Sequence, residues 1–169
     1  KEGISTRTVR QLSTAHTGIY FVTHGPDGHE FSYFRAGSAA SKMTPDDLPI
    51  DALQSMKILH VSGISQAISE SAADTVFEAM RLTREAGGQV SYDTNLRLKL
   101  WPLDRARAVI HAAVAQSDII LPGVDDAELL TGHSKPDDIV DTYLKLGASI
   151  VALTLGPQGT LVATPNERK

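Results

Sequence analysis

Residues that favour β structure cluster twice near the start of the chain, at Ile19-Tyr20-Phe21-Val22-Thr23 and at Glu30-Phe31-Ser32-Tyr33-Phe34-Arg35. Gly25-Pro26-Asp27-Gly28 lies between them, so the pair predicts a hairpin with strands at about 19–24 and 30–35. Thr44 to Leu53 reads as a loop with a short helical turn, Pro45 taking its first position. From residue 57 the rhythm changes. Short apolar runs at 57–61, 89–93, 118–121 and 150–155 predict strands, and helical patterns lie between them. Ser69 is the expected N-cap of a helix running to Gly87, with Ala72, Val76, Met80 and Thr83 on one face. Asp104 is the expected N-cap of a helix to Ala115, and further helices are expected at 125–131 and 136–146. Gly156-Pro157-Gln158-Gly159 turns the last long strand into Thr160-Leu161-Val162-Ala163. Strands alternating with helices predict an α/β fold, a parallel sheet with helices on both faces and right-handed crossovers. Residues 1–40 are expected to form a small, mostly β element, a lid, and residues 41–169 the α/β body.

Composition narrows the class. With 16 Lys and Arg against 20 Asp and Glu, the formal charge is −4, and no basic cluster marks a nucleic-acid surface. No apolar stretch approaches the roughly 18 residues that cross a bilayer. The chain has no cysteine, which removes disulfides and zinc–cysteine sites and fits a cytoplasmic protein. The opening Lys1-Glu2-Gly3 has neither an initiator Met nor a signal-peptide pattern.

In open parallel α/β sheets, ligands bind outside the carboxyl ends of the strands. Ser62-Gly63-Ile64, Asp93-Thr94-Asn95-Leu96-Arg97, Pro122-Gly123-Val124-Asp125-Asp126 and Gly156-Pro157-Gln158-Gly159 all fall there, which makes that edge the expected site. Asp93, Asn95 and Arg97 are spaced by two, so an extended backbone would project all three to one side. Arg97 could then grip a carboxylate or phosphate through its guanidinium fork. The same spacing also fits a structural Arg97–Asp93 pair. Gly156 and Gly159 open either a plain hairpin turn or a backbone cradle for phosphate. Tyr33 and Arg35 share a strand face, where they suit a hydroxylated acid or an ordinary solvent-facing edge. The six histidines show no metal-ligand spacing, and neither a P-loop nor a dinucleotide fingerprint is present.

Taken together, Thr17-Gly18-Ile19-Tyr20-Phe21, Tyr33-Phe34-Arg35-Ala36-Gly37-Ser38-Ala39, Leu59-His60-Val61-Ser62-Gly63-Ile64 and Asp93-Thr94-Asn95-Leu96-Arg97 with Leu100-Trp101 resemble the ribokinase-like (PfkB) sugar kinases. Within that family the resemblance is greatest to the kinases of 2-keto-3-deoxygluconate. It implies an α/β body with a small β-sheet lid, and ATP-dependent phosphorylation of a small sugar acid with Mg²⁺. It implies that Tyr20, Tyr33 and Arg35 reach the substrate from the lid, that Ile64 lines the sugar pocket and that Arg97 binds the substrate carboxylate. It places Asn95 near the phosphates, and Thr154, Gly156, Pro157 and Gly159 in the nucleotide segment. It also implies that the lid can pair two copies of the chain.

The sequence departs from the family in two places. Where many members carry Asn-x-x-Glu, linked to Mg²⁺ and phosphate, this chain reads Gly123-Val124-Asp125-Asp126, leaving Asp126 as the metal candidate. The Gly-Ala-Gly-Asp stretch that supplies the family's catalytic base has no counterpart, nor does the Gly-rich N-terminal substrate segment. The chain therefore reads as the middle of a longer enzyme, with no catalytic residue of its own. The competing readings are a fructose or ribose kinase and a catalytically inert binding or structural protein.

Overall fold

The computed structural model describes residues 3–25 and 28–169. Near the start, β1 (Ile19–Gly25) and β2 (Gly28–Phe34) pair antiparallel, with Tyr20 opposite Tyr33 and Val22 opposite Phe31. Side chains alternate along a strand, so Tyr20, Val22, Phe31 and Tyr33 share one face, and Ile19, Phe21 and Phe34 the other. Pro26 and Asp27 of the expected turn lie outside the described residues. The second strand ends at Phe34, one residue before the expected Arg35.

The expected turn at Pro45 is a 3-10 turn, Pro45–Asp47, and Asp47 Oδ2 accepts the Thr44 N–H at 3.0 Å. It leads into α1 (Ile50–Ser55). The body follows as β3 (Ile58–Ser62), α2 (Gly63–Ala67), α3 (Glu70–Glu85), β4 (Gln89–Asp93), α4 (Leu103–Val114), β5 (Ile119–Leu121), α5 (Val124–Thr131), α6 (Pro136–Leu146), β6 (Ile150–Thr154) and β7 (Thr160–Ala163). Ser69 caps α3 as expected, its Oγ accepting the Ala72 N–H at 3.0 Å. The cap of α4 is Pro102 rather than Asp104. Proline presets the backbone for a helix start, and Asp104 sits inside the first turn, where its charge favours the helix dipole. Asp118 precedes β5, and its Oδ2 accepts the Val90 N–H at 2.8 Å, tying the start of β4 to its neighbour.

The five-stranded sheet runs β3-β4-β5-β6-β7, with β3 to β6 parallel and β7 antiparallel on β6. Strands laid down in sequence order by right-handed crossovers carry their helices to the same face. The core shows this: Val90, Tyr92, Ile120, Val151, Leu153 and Ala163 of the sheet meet Val76 and Met80 of α3, Ile110 of α4, Leu130 of α5 and Tyr143 of α6 in one cluster. The expectation of helices on both faces is therefore not met among the described residues. The opposite face carries a hydrogen bond between His60 Nδ1 and Ser91 Oγ (3.1 Å) and leaves Ile150 and Val162 partly exposed. No helix among the described residues is long and apolar enough to cross a membrane.

Candidate active site at the carboxyl edge of the sheet

The parallel strands β3, β4, β5 and β6 end along one edge. At its β3 end, a cleft of about 380 Å³ opens between the body and the hairpin. Tyr20, Tyr33, Arg35, Ile64 and Arg97 all line it, so residues spread from 20 to 97 converge on one cleft. Phe31, Ser65 and Ile68 line it as well and were not anticipated. A signal for two of them was present: Phe31 is two residues before Tyr33 on its strand, and Ile68 follows Ile64 by one helical turn.

The guanidinium of Arg35 lies over the Tyr33 ring, 4.0 Å from its centroid. Such stacking holds the cation in place while leaving its in-plane N–H groups available. Arg97 donates from Nη1 to the Leu96 carbonyl at 2.8 Å. Two guanidinium groups in one largely apolar cleft favour an anionic guest.

Asp93, Asn95 and Arg97 do not project together. The strand ends at Asp93, and Asn95 has φ of 35°, a left-handed conformation that breaks the extended run. Arg97 goes to the cleft, while Asp93 and Asn95 join Ser62. Ser62 Oγ donates to Asp93 Oδ2 at 3.2 Å and accepts from Asn95 Nδ2 at 3.1 Å. The direction of this relay is fixed by chemistry. The Asn95 amide nitrogen only donates, so Ser62 Oγ accepts from it and keeps its own hydrogen for Asp93 Oδ2. Asn95 Oδ1 is left buried without a protein partner.

The β3–α2 corner comes unusually close to β4. A Cβ on Gly63 would stand 2.2 Å from the Thr94 carbonyl oxygen and 3.0 Å from the Tyr92 hydroxyl, which only glycine permits. Below it, the buried Tyr92 hydroxyl donates to Gln66 Oε1 at 2.6 Å.

After β5, Gly123 is the N-cap of α5 and offers no capping side chain. Asp126 Oδ2 accepts the Leu96 N–H at 2.9 Å, tethering the loop that bears Arg97. Burial pushes the Asp126 carboxyl up, opposed by the Leu96 N–H and by Arg97, and reinforced by Asp93 and Asp125. No group of three or more His, Cys, Asp or Glu suited to a metal exists among the described residues. Asp126 is the half-buried carboxylate at this corner, and it fits Mg²⁺ only where phosphate oxygens and water complete the shell.

At the β6 end, Thr154 Oγ1 and N–H both donate to the Pro122 carbonyl, at 3.3 and 2.9 Å. Gly156 to Gln158 form a 3-10 turn, with φ of 58° at Gly156 and 96° at Gly159. Both angles demand glycine, and no atom lies within 4 Å of a Cβ built at either position. An exposed turn of this kind can let backbone N–H groups meet a phosphate.

Comparison with known proteins shows the family and the fold. The whole chain, residues 1–169, matches the pfkB family of carbohydrate kinases. It is 38% identical over 168 residues to the 2-dehydro-3-deoxygluconokinase of Bacillus subtilis, covering 97% of this chain and 52% of that protein. It is 34% identical over 162 residues to fructokinase-2 of Solanum lycopersicum, covering 93% of this chain and 48% of that protein. An E. coli protein assigned to ribokinase II, solved with ATP and Mg²⁺, superposes with a TM-score of 0.83 at 26% identity, over 94% of this chain and 50% of that one. The chain spans about half the length of the curated relatives it matches.

Proposed function

The chain belongs to the pfkB family of carbohydrate kinases, and on that premise we propose that the protein carrying it phosphorylates 2-keto-3-deoxygluconate at its 6-hydroxyl with ATP. The observation that supports the acid substrate is the convergence of Arg35 and Arg97 on one cleft, since a neutral sugar needs no paired guanidinium groups.

In this reading residues 1–40 act as a lid over a body of residues 41–169. Tyr20, Tyr33 and Arg35 hold the acid from the lid, Ile64 packs against its carbon chain, and Arg97 takes its carboxylate. The substrate hydroxyl oxygen attacks the γ-phosphorus as the bond to the bridging oxygen of ADP breaks. The site's contribution is position and charge. Thr154, Gly156, Pro157 and Gly159 seat the nucleotide. Asn95 presents an acceptor oxygen, so it serves a hydroxyl or a metal-bound water rather than a phosphate oxygen directly. Mg²⁺, when bound, neutralises charge developing on the phosphates, and Asp126 is the carboxylate here that would hold it through water. Residues 1–169 include no counterpart of the family's Gly-Ala-Gly-Asp base, so the isolated chain is expected to give no turnover.

The deciding assay is ATP-dependent ADP release by the full-length protein, with 2-keto-3-deoxygluconate, fructose and ribose compared. Preference for the acid supports the assignment. Preference for fructose would move it to the runner-up, which 34% identity to a fructokinase over most of the chain favours. A cytoplasmic location belongs to the same reading. So does pairing of two copies through the outer face of the hairpin, where Phe21 and Phe34 are exposed. Light scattering on Phe21→Ser tests that pairing: an unchanged oligomeric state would refute it.

A further inference from the structure

The helix α2, Gly63–Ala67, has five residues and no side-chain cap. A helix that short has no stability of its own, so tertiary contacts must set its position. It nevertheless forms a wall of the cleft, since Ile64, Ser65 and the adjoining Ile68 all line it. It packs against α3, α4 and β3, and the end of β4 meets it at two close points. Gly63 lies hard against the Thr94 carbonyl, and Gln66, 2% exposed, accepts the hydroxyl of Tyr92, which is fully buried.

We propose that Gln66 and Tyr92 are positioning residues for the cleft: their buried hydrogen bond sets α2 against β4, and so sets Ile64 relative to Arg97, which lies on the connection that leaves β4. Apolar packing alone would hold α2 down but allow it to slide, whereas a hydrogen bond between two buried side chains admits one register. Gln66 Nε2 is buried without a partner, a polar burial that stability alone does not favour.

The activity half of this inference rests on the kinase reading; the structural half does not. In the full-length protein, Tyr92→Phe and the double variant Tyr92→Phe/Gln66→Leu are compared with wild type. Hydrogen exchange over residues 63–68 should quicken in Tyr92→Phe, with KM for the sugar acid raised about tenfold and KM for ATP unchanged. The double variant leaves neither partner polar and unpaired, so its Tm should return toward wild type while KM for the acid stays raised. Exchange over 63–68 that does not change in Tyr92→Phe would overturn the proposal. So would a KM that returns to wild type together with Tm in the double variant. A wild-type protein without kinase activity would sink the kinase reading, and the exchange result would then decide the positioning role alone.

Discussion

The guanidinium of Arg35 rests on the ring of Tyr33 at 4.0 Å, a contact between side chains two residues apart at the mouth of the cleft. The stacked cation is already desolvated on one face and oriented, which lowers the entropy cost of gripping a carboxylate.

Arg35→Ala should therefore raise KM for 2-keto-3-deoxygluconate roughly ten- to a hundredfold, the worth of a charge-assisted hydrogen bond, and change that for fructose far less. Arg35→Lys should restore little, because an ammonium neither stacks nor forks in the same way. Steady-state kinetics on both sugars check this. Equal losses would show that the guanidinium does not read a carboxylate.

Gly63→Ala should cost about 3 kcal/mol, because the added methyl would meet a backbone oxygen at 2.2 Å that has no freedom to rotate away. Thermal unfolding should register a drop of roughly 10 °C. An unchanged Tm would mean that the β3–α2 corner does not approach Thr94 so closely.

Asp126→Asn separates stability from activity. Burial raises the folded-state pKa of Asp126 above its ordinary value of 3.8, so ionised Asp126 opposes folding at neutral pH. That opposition fades as pH falls through the raised value toward the unfolded one. The amide variant still accepts the Leu96 N–H. It should melt slightly higher than wild type at pH 7, with the gain disappearing near pH 4. Its kcat should nonetheless fall about ten- to a hundredfold if Asp126 supports Mg²⁺. Melting curves at the two pH values, beside activity, test both statements.

Gly123→Asn should be tolerated. Its φ of −84° suits any residue, and a Cβ there would meet only Thr154 Oγ1, at 3.7 Å. An asparagine at this N-cap should stabilise α5 by a few tenths of a kcal/mol. It should also lower the Mg²⁺ concentration for half-maximal activity, measured by titration. A loss of Tm would show that the glycine is structurally required.

Much of this arrangement was legible in the sequence because its signals are local. Ser69 caps α3 as its position before an amphipathic run implies, and the segments after β3 and β4 reach the cleft through Ile64 and Arg97. What escaped was decided at a distance. The five residues of α2 carry no periodic signal, and their place depends on tertiary contacts with α3, α4, β3 and the Tyr92 hydroxyl. The spacing of Asp93, Asn95 and Arg97 promised one shared face, but the left-handed Asn95 divides it. Asp104 has the chemistry of a cap, yet Pro102 takes the position by fixing the backbone first. The single covered face of the sheet follows from strand order, which no local pattern encodes.

The order β3-β4-β5-β6 also acts as a ruler. Arg97 follows β4, with Arg35 in the same cleft, and the Gly156–Gly159 turn follows β6, two strand spacings or roughly 10 Å away. A guest anchored by its carboxylate at one end of that scale can offer the phosphates only its far end. On the kinase reading, regiochemistry is then a matter of length: a six-carbon acid presents its terminal hydroxyl, and a shorter acid held by the same two arginines falls short of the γ-phosphorus.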